Sequence, residues 1–139
     1  LLARLPTSLA GQPAVLPGAN KVRAALLEGL AERGAEVCHV PVYDNVLPAA
    51  EAWRGGLEAL RAGQVDAALL TSGSTARNLH RILGDDAEAL LAPVVLAAIG
   101  PVTARAVEAL GWSVDVVADP YTVPALLDAL AGHYLAKES

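Results

Sequence analysis

The stretch Val65-Asp66-Ala67-Ala68-Leu69-Leu70-Thr71-Ser72-Gly73-Ser74-Thr75-Ala76-Arg77-Asn78 constrains this chain more than any other. Val65 to Leu70 is a short, mainly apolar run of the length expected for a parallel strand covered on both faces. Thr71 to Thr75 then set four hydroxyls and one glycine at the strand's carboxyl end, directly before residues that read as a helix. Hydroxyl side chains cap helix starts, and glycine admits close approach to the backbone. Free N–H groups at such a start suit a carboxylate or a phosphate. Two readings stand side by side: Ser72 or Ser74 is only an N-cap, or the loop also holds an anion.

The same strand-to-helix alternation runs along the chain. Residues 1–12 form a leader without a firm element, and residues 13–139 read as a single α/β domain. Pro13 to Leu16 is a first strand, ended by Pro17-Gly18, and a helix with Val22, Leu26 and Leu30 on one face runs to Gly34. Val37 to Val42 is a second strand, with Cys38 as a small core residue, and Tyr43-Asp44-Asn45 follow it. Residues 46–50, with Pro48, are a connection and a hinge between a strand-helix-strand unit (13–45) and the remainder (51–139). Glu51 to Ala62 is a helix weakened by Gly55-Gly56. Beyond the organising strand, a helix runs from about Ser74 to Leu83, and a short helical turn reaches Leu91. Val94 to Ile99 and Val114 to Ala118 are the fourth and fifth strands, each with a helix after it. Leu126, Leu127, Leu130 and Tyr134 line the buried face of the last helix, capped by Thr122. The expected fold is a flavodoxin-like, doubly wound, five-stranded parallel sheet with helices on both faces.

Composition narrows the chemistry. A net charge of −5 and few aromatic residues argue against a nucleic-acid partner. No apolar run reaches the roughly 18 residues of a membrane span, and no signal-peptide pattern is present. Leu1 at the start and the absence of methionine suggest a piece of something longer. One cysteine excludes an internal disulfide and fits a reducing, cytoplasmic setting. His39, His80 and His133 share no ligand spacing, so no metal site is expected. No G-x-S-x-G elbow occurs.

In a doubly wound sheet, ligands bind beyond the carboxyl ends of the strands. That rule gathers Pro17-Gly18, Tyr43, Thr71 to Ser74, Gly100-Pro101 and Pro120-Tyr121 on one rim. Lys21, Arg23, Arg77 and Arg105 fall in the first turns of helices, where cations oppose the helix dipole. Either they face an anionic ligand or they are solvated or paired locally, as Arg105 would be with Glu108.

Several segments together resemble the C-terminal half of uroporphyrinogen-III synthase. They are Ala14-Val15-Leu16-Pro17, Gly34-Ala35-Glu36-Val37 with Val42-Tyr43, and Thr71 through Leu79. Ile99-Gly100-Pro101-Val102-Thr103-Ala104 and Val116-Val117-Ala118 with Tyr121-Thr122-Val123 complete the set, in the family's order, between Gly11 and Leu135. The resemblance implies a cofactor-free lyase that closes hydroxymethylbilane, a linear tetrapyrrole, into uroporphyrinogen III with loss of water and inversion of the last ring. It implies that Tyr43 helps the hydroxyl leave. It also implies that the substrate is held largely by backbone N–H groups, with Thr71, Ser72, Gly73, Ser74, Thr75, Gly100, Pro101 and Thr103 as the substrate-binding residues. Here Gly18-Ala19 follow Pro17 and Asp44-Asn45 follow Tyr43, where the family more often has basic or amide residues. Two other classes remain: a non-catalytic module binding a small anionic ligand, and a half-domain that pairs with a second copy. Its oligomeric state is accordingly a monomer or a domain-swapped homodimer.

Overall fold

A computed structural model describes residues 2–20 and 24–137. The chain divides into two compact units, Leu1–Val46 and Leu47–Ser139. The division falls inside the stretch read as a hinge. Lys21, Val22 and Arg23, read above as belonging to the first helix, lie outside the described residues.

In the smaller unit, strand β1 (Pro13–Ala19) pairs in parallel with β2 (Glu36–Tyr43), and helix α1 (Ala24–Ala31) joins them. Pro17 does not end β1. The Glu36 N–H donates to the Gln12 carbonyl at 3.0 Å, so even-numbered residues of β1 face β2. Pro13 and Pro17 therefore face the open edge, where a missing N–H breaks no ladder bond. The register slips between Gly18 and Ala19, and the Asn20 N–H then donates to the Tyr43 carbonyl at 3.0 Å.

Helix α1 covers one face of this pair. Ala14, Leu16, Leu26 and Leu30 line a cavity of about 240 Å³ there. The leader belongs to this layer: it holds a short 3-10 turn, Leu2–Arg4, and the buried Leu9. The Leu9 N–H donates to the Arg33 carbonyl at 2.7 Å, and the Arg33 guanidinium donates to the Leu2 carbonyl. Gly34 makes the junction work, with φ +82° and the Ala10 Cα only 3.2 Å from where a Cβ would stand. On the other face, Val15, Cys38, Val40 and Val42 are exposed. Cys38, expected in the core, is exposed because it points away from α1.

The larger unit contains α2 (Ala50–Arg61), β3 (Ala67–Leu70), α3 (Gly73–Leu83), α4 (Ala87–Leu91) and β4 (Val95–Ala98). It continues with α5 (Pro101–Glu108), β5 (Val116–Val117) and α6 (Val123–Lys137). The strands are parallel in the order β3-β4-β5. Every residue of β4 is buried. Leu96 packs with Leu70, Val107 and Trp112 on the side of α3, α4 and α5. Val95 and Ala97 pack with Val116, Ala118 and Leu126 on the side of α6. Alternation along one strand thus feeds two cores, as a parallel sheet covered on both faces requires. Leu126, Leu130 and Tyr134 form the inner stripe of α6, and the Tyr134 hydroxyl donates to the Asp66 carbonyl at 2.9 Å. Leu127, expected there, is 51% exposed, because it sits about 100° round the helix from Leu126.

The chain is α/β with parallel strands, as expected. The single five-stranded sheet is not what forms: the strands make one sheet of two and another of three. Strand order depends on which edges meet. The residue pattern of each strand does not carry that information.

Candidate functional site

The three parallel strands of the larger unit end on one edge, and α3, α5 and α6 all begin there. At α3 the N-cap is Ser72, in extended backbone, and its Oγ accepts the Thr75 N–H at 3.1 Å. The same oxygen lies 2.9 Å from Ser74 Oγ and 2.8 Å from Thr75 Oγ1. The helix opens at Gly73, one residue earlier than the sequence suggests. First-turn N–H groups have no intrahelical carbonyl to reach, so those of Gly73 and Ser74 stand at the positive end of the helix dipole. Thr71 and Thr75 are exposed beside them.

Gly73 is there for contact. A Cβ at this position would lie 2.9 Å from the Ala106 Cβ on α5 and 3.1 Å from Arg77 Nη1. Arg77, one turn along α3, therefore reaches back over the start of its own helix. The ion pairs among the described residues, Arg54–Glu51 and Arg61–Asp86, lie elsewhere, and Arg105 makes none with Glu108.

Helix α5 opens at Pro101, whose missing N–H costs nothing in a first turn. Its N-cap, Gly100, has an extended backbone that any residue adopts. The need for glycine comes from Tyr121, whose ring would stand 3.0 Å from a Cβ there. Tyr121 is 62% exposed on this rim. Thr122 Oγ1 accepts the Ala125 N–H at 3.3 Å and so caps α6.

The structure thus brings Thr71, Ser72, Gly73, Ser74, Thr75, Gly100 and Pro101 to one edge of the larger unit. Thr103 is in α5 but only 6% exposed, on its packed side. Tyr43 belongs to the smaller unit, at the end of β2, with 59% of its surface exposed. Two further residues stand at this edge, Arg77 and Tyr121, which the sequence placed on the rim or at a helix start without naming them among the substrate-binding residues. The signal for Arg77 was available: four residues separate it from Gly73, which puts both on one face of a helix. Among the described residues, no group of three His, Cys, Asp or Glu side chains is placed to hold a metal ion. No helix among them is long and apolar enough to cross a membrane.

The arrangement offers backbone donors, hydroxyls and one cation at the end of a parallel sheet, a combination suited to carboxylates. Comparison with known proteins identifies the family. A uroporphyrinogen-III synthase from Chlorobaculum parvum is 29% identical over 126 residues, which are 91% of this chain and 50% of that protein. One from Synechococcus elongatus is 32% identical over 135 residues, 94% of this chain and 51% of the other. A crystal structure of uroporphyrinogen III synthase from the extremely thermophilic bacterium Thermus thermophilus superposes with a TM-score of 0.65 at 28% identity. That superposition covers 100% of this chain and 55% of the other. The chain therefore spans about half the length of the curated relatives it matches. The family model for uroporphyrinogen-III synthase, HemD, matches residues 1–128, and the chain belongs to that family.

Proposed function

We propose that this chain acts in the cyclisation of hydroxymethylbilane to uroporphyrinogen III, as a cyclising lyase that loses water and inverts the last pyrrole ring. The observation that carries the reading is the Ser72-capped start of α3, with Gly73 and Ser74 N–H groups at the sheet's carboxyl edge, inside a family match over residues 1–128. The substrate bears carboxylates along a linear tetrapyrrole, and an edge with free amides and Arg77 gives them donors without a metal. The Gly73 and Ser74 N–H groups hold one carboxylate, with the exposed Thr75 side chain beside them. Thr71, Gly100 and Pro101 form the rest of the edge. Thr103 acts from behind, by packing α5 in place.

Tyr43 supplies a phenolic proton to the departing hydroxyl, a role for which an exposed phenol at a strand end is suited. The sheet β3-β4-β5, covered on both faces, supports a flavodoxin-like reading for the larger unit. The single exposed thiol, Cys38, fits a reducing cytoplasmic setting. The net charge of −5 fits a small-molecule rather than a nucleic-acid partner.

The deciding experiment is turnover. Hydroxymethylbilane generated in place would be offered to the chain and the products separated as isomers. Uroporphyrinogen III in excess over the spontaneously formed I isomer is the expected result. A product ratio identical to that without protein would leave only the binding-module reading, to be tested by titration with a linear tetrapyrrole.

A further inference from the structure

Exposed apolar side chains collect at the starts of α5 and α6. Val102 is 49% exposed and Val123 50%, and Tyr121 is open between them in the chain's path. Gly100 ties them together. It is buried, it stands two residues before Val102, and Tyr121 Cγ and Cδ1 lie 3.0 Å from where its Cβ would be. The root of the Tyr121 side chain is thus seated on the cap of α5, while most of its surface faces solvent. Its hydroxyl has no hydrogen-bond partner among the described residues. Single apolar side chains on a surface are ordinary. Three grouped around one contact, at the edge where a sheet of this kind takes its ligand, mark a binding surface.

The start of α5 also differs in chemistry from that of α3. Pro101 brings no N–H, and the N–H groups of Thr103 and Ala104 both donate to the Gly100 carbonyl at 3.0 Å. Among the described residues this leaves the N–H of Val102 as the free donor of that turn, and the Thr103 side chain is buried. An anion finds little there. What the turn presents instead is an aromatic side chain with two valines. The two starts are neighbours, because a Cβ on Gly73 of α3 would lie 2.9 Å from the Ala106 Cβ of α5.

A linear tetrapyrrole has both kinds of surface, carboxylates on its flanks and flat, electron-rich rings along its length. We infer that Tyr121, flanked by Val102 and Val123, is the platform on which one pyrrole ring of the substrate stacks, while carboxylates are taken at the start of α3. The inference rests on the proposed function and divides its site into a polar and an aromatic part. Stacked aromatic faces contribute beyond the area they bury. Tyr121 orients a ring in this arrangement and moves no proton, so its hydroxyl is dispensable. Its ring is not.

The probe is the linear bilane that carries a methyl group where the substrate carries its hydroxymethyl group. Without a leaving group it cannot cyclise. Propane-1,2,3-tricarboxylate, with carboxylates and no ring, is its counterpart. Both are titrated calorimetrically into the wild-type chain and into Tyr121→Leu and Tyr121→Phe. Tyr121→Leu keeps apolar bulk over Gly100 and removes the aromatic face, so it should weaken the bilane roughly two- to twelvefold. Tyr121→Phe should bind the bilane within about twofold of the wild type. Neither change should alter binding of the tricarboxylate or the thermal midpoint. Equal affinity of the wild type and Tyr121→Leu for the bilane would overturn the inference. So would an equal loss in Tyr121→Phe, which assigns the contact to the hydroxyl. A matching loss for the tricarboxylate would overturn it as well, since that marks a disturbed loop. In each of these cases, a bilane that still binds and is weakened by Ser72→Ala leaves the proposed function standing. A wild-type chain that binds no bilane overturns both.

Discussion

Ser72 shows how much one side chain settles. Its hydroxyl caps α3 and joins Ser74 and Thr75 in one small network. Ser72→Ala should lower stability by about 1 kcal/mol through loss of the cap, read as a shift in the thermal midpoint. It should also weaken binding of a linear tetrapyrrole in a calorimetric titration. The glycines of the edge are held by different neighbours. Gly73→Ala would drive a methyl against the Ala106 Cβ, which is fixed to its helix, and should cost about 1–3 kcal/mol in a urea titration. Gly100→Ala meets the near end of the Tyr121 side chain instead, with Cγ at 3.0 Å and Cβ at 3.4 Å, so it should also cost about 1–3 kcal/mol by the same measurement. Tyr43→Phe, made in an active full-length protein, should slow turnover by about 10²–10⁴ with substrate affinity unchanged. The cap was legible in the sequence, because a hydroxyl before a helix has few other purposes. The Gly100–Tyr121 contact was not, because it is set by how two loops approach each other.

At the scale of elements, α2 is the weak member. None of its residues is buried, and Gly55 and Gly56 have nothing within 4 Å of where a Cβ would stand. Gly56, Trp53, Leu57 and Leu60 line an apolar cavity of about 330 Å³ against Val65 and Leu79. Replacing both glycines by alanine should stabilise the chain by up to about 2 kcal/mol, at roughly 1 kcal/mol per position in a helix interior. A urea midpoint that did not rise would mean that this segment is not helical in solution. The sequence placed this helix within a residue at each end and placed β3, β4 and α3 to within two or three. It lengthened β5, because Val114 and Asp115 lie outside the ladder although Asp115 Oδ2 accepts the Leu96 N–H at 2.8 Å. Apolar alternation marks where a strand is buried. It does not mark where the neighbouring ladder stops.

For the whole molecule, the two sheets were beyond reach of the sequence pattern, since each strand alone looks the same whichever partner it takes. Pro48 marks residues 46–50 in the sequence as a connection, and the chain divides into its two compact units between Val46 and Leu47. The exposed face of β1–β2 spans roughly 250 Å² at about 3.3 Å per residue and 4.8 Å between strands. That is short of the about 800 Å² that a stable association removes from each partner, so the chain alone should run as a monomer at low micromolar concentration in light scattering behind a sizing column. A swapped dimer stable at that concentration would reverse this. The sheet pattern also has a kinetic consequence for amide hydrogens. Strand β4 has a neighbouring strand on each edge and is buried on both faces, so exchange of its amides with solvent should require opening of the larger unit as a whole. Amides of Cys38 and Val40 in β2 have a single ladder and one open face, so they should exchange through brief local openings, orders of magnitude sooner. Deuterium uptake followed over hours would then show one chain ageing at two rates, with the larger unit keeping its protons long after the smaller has lost them.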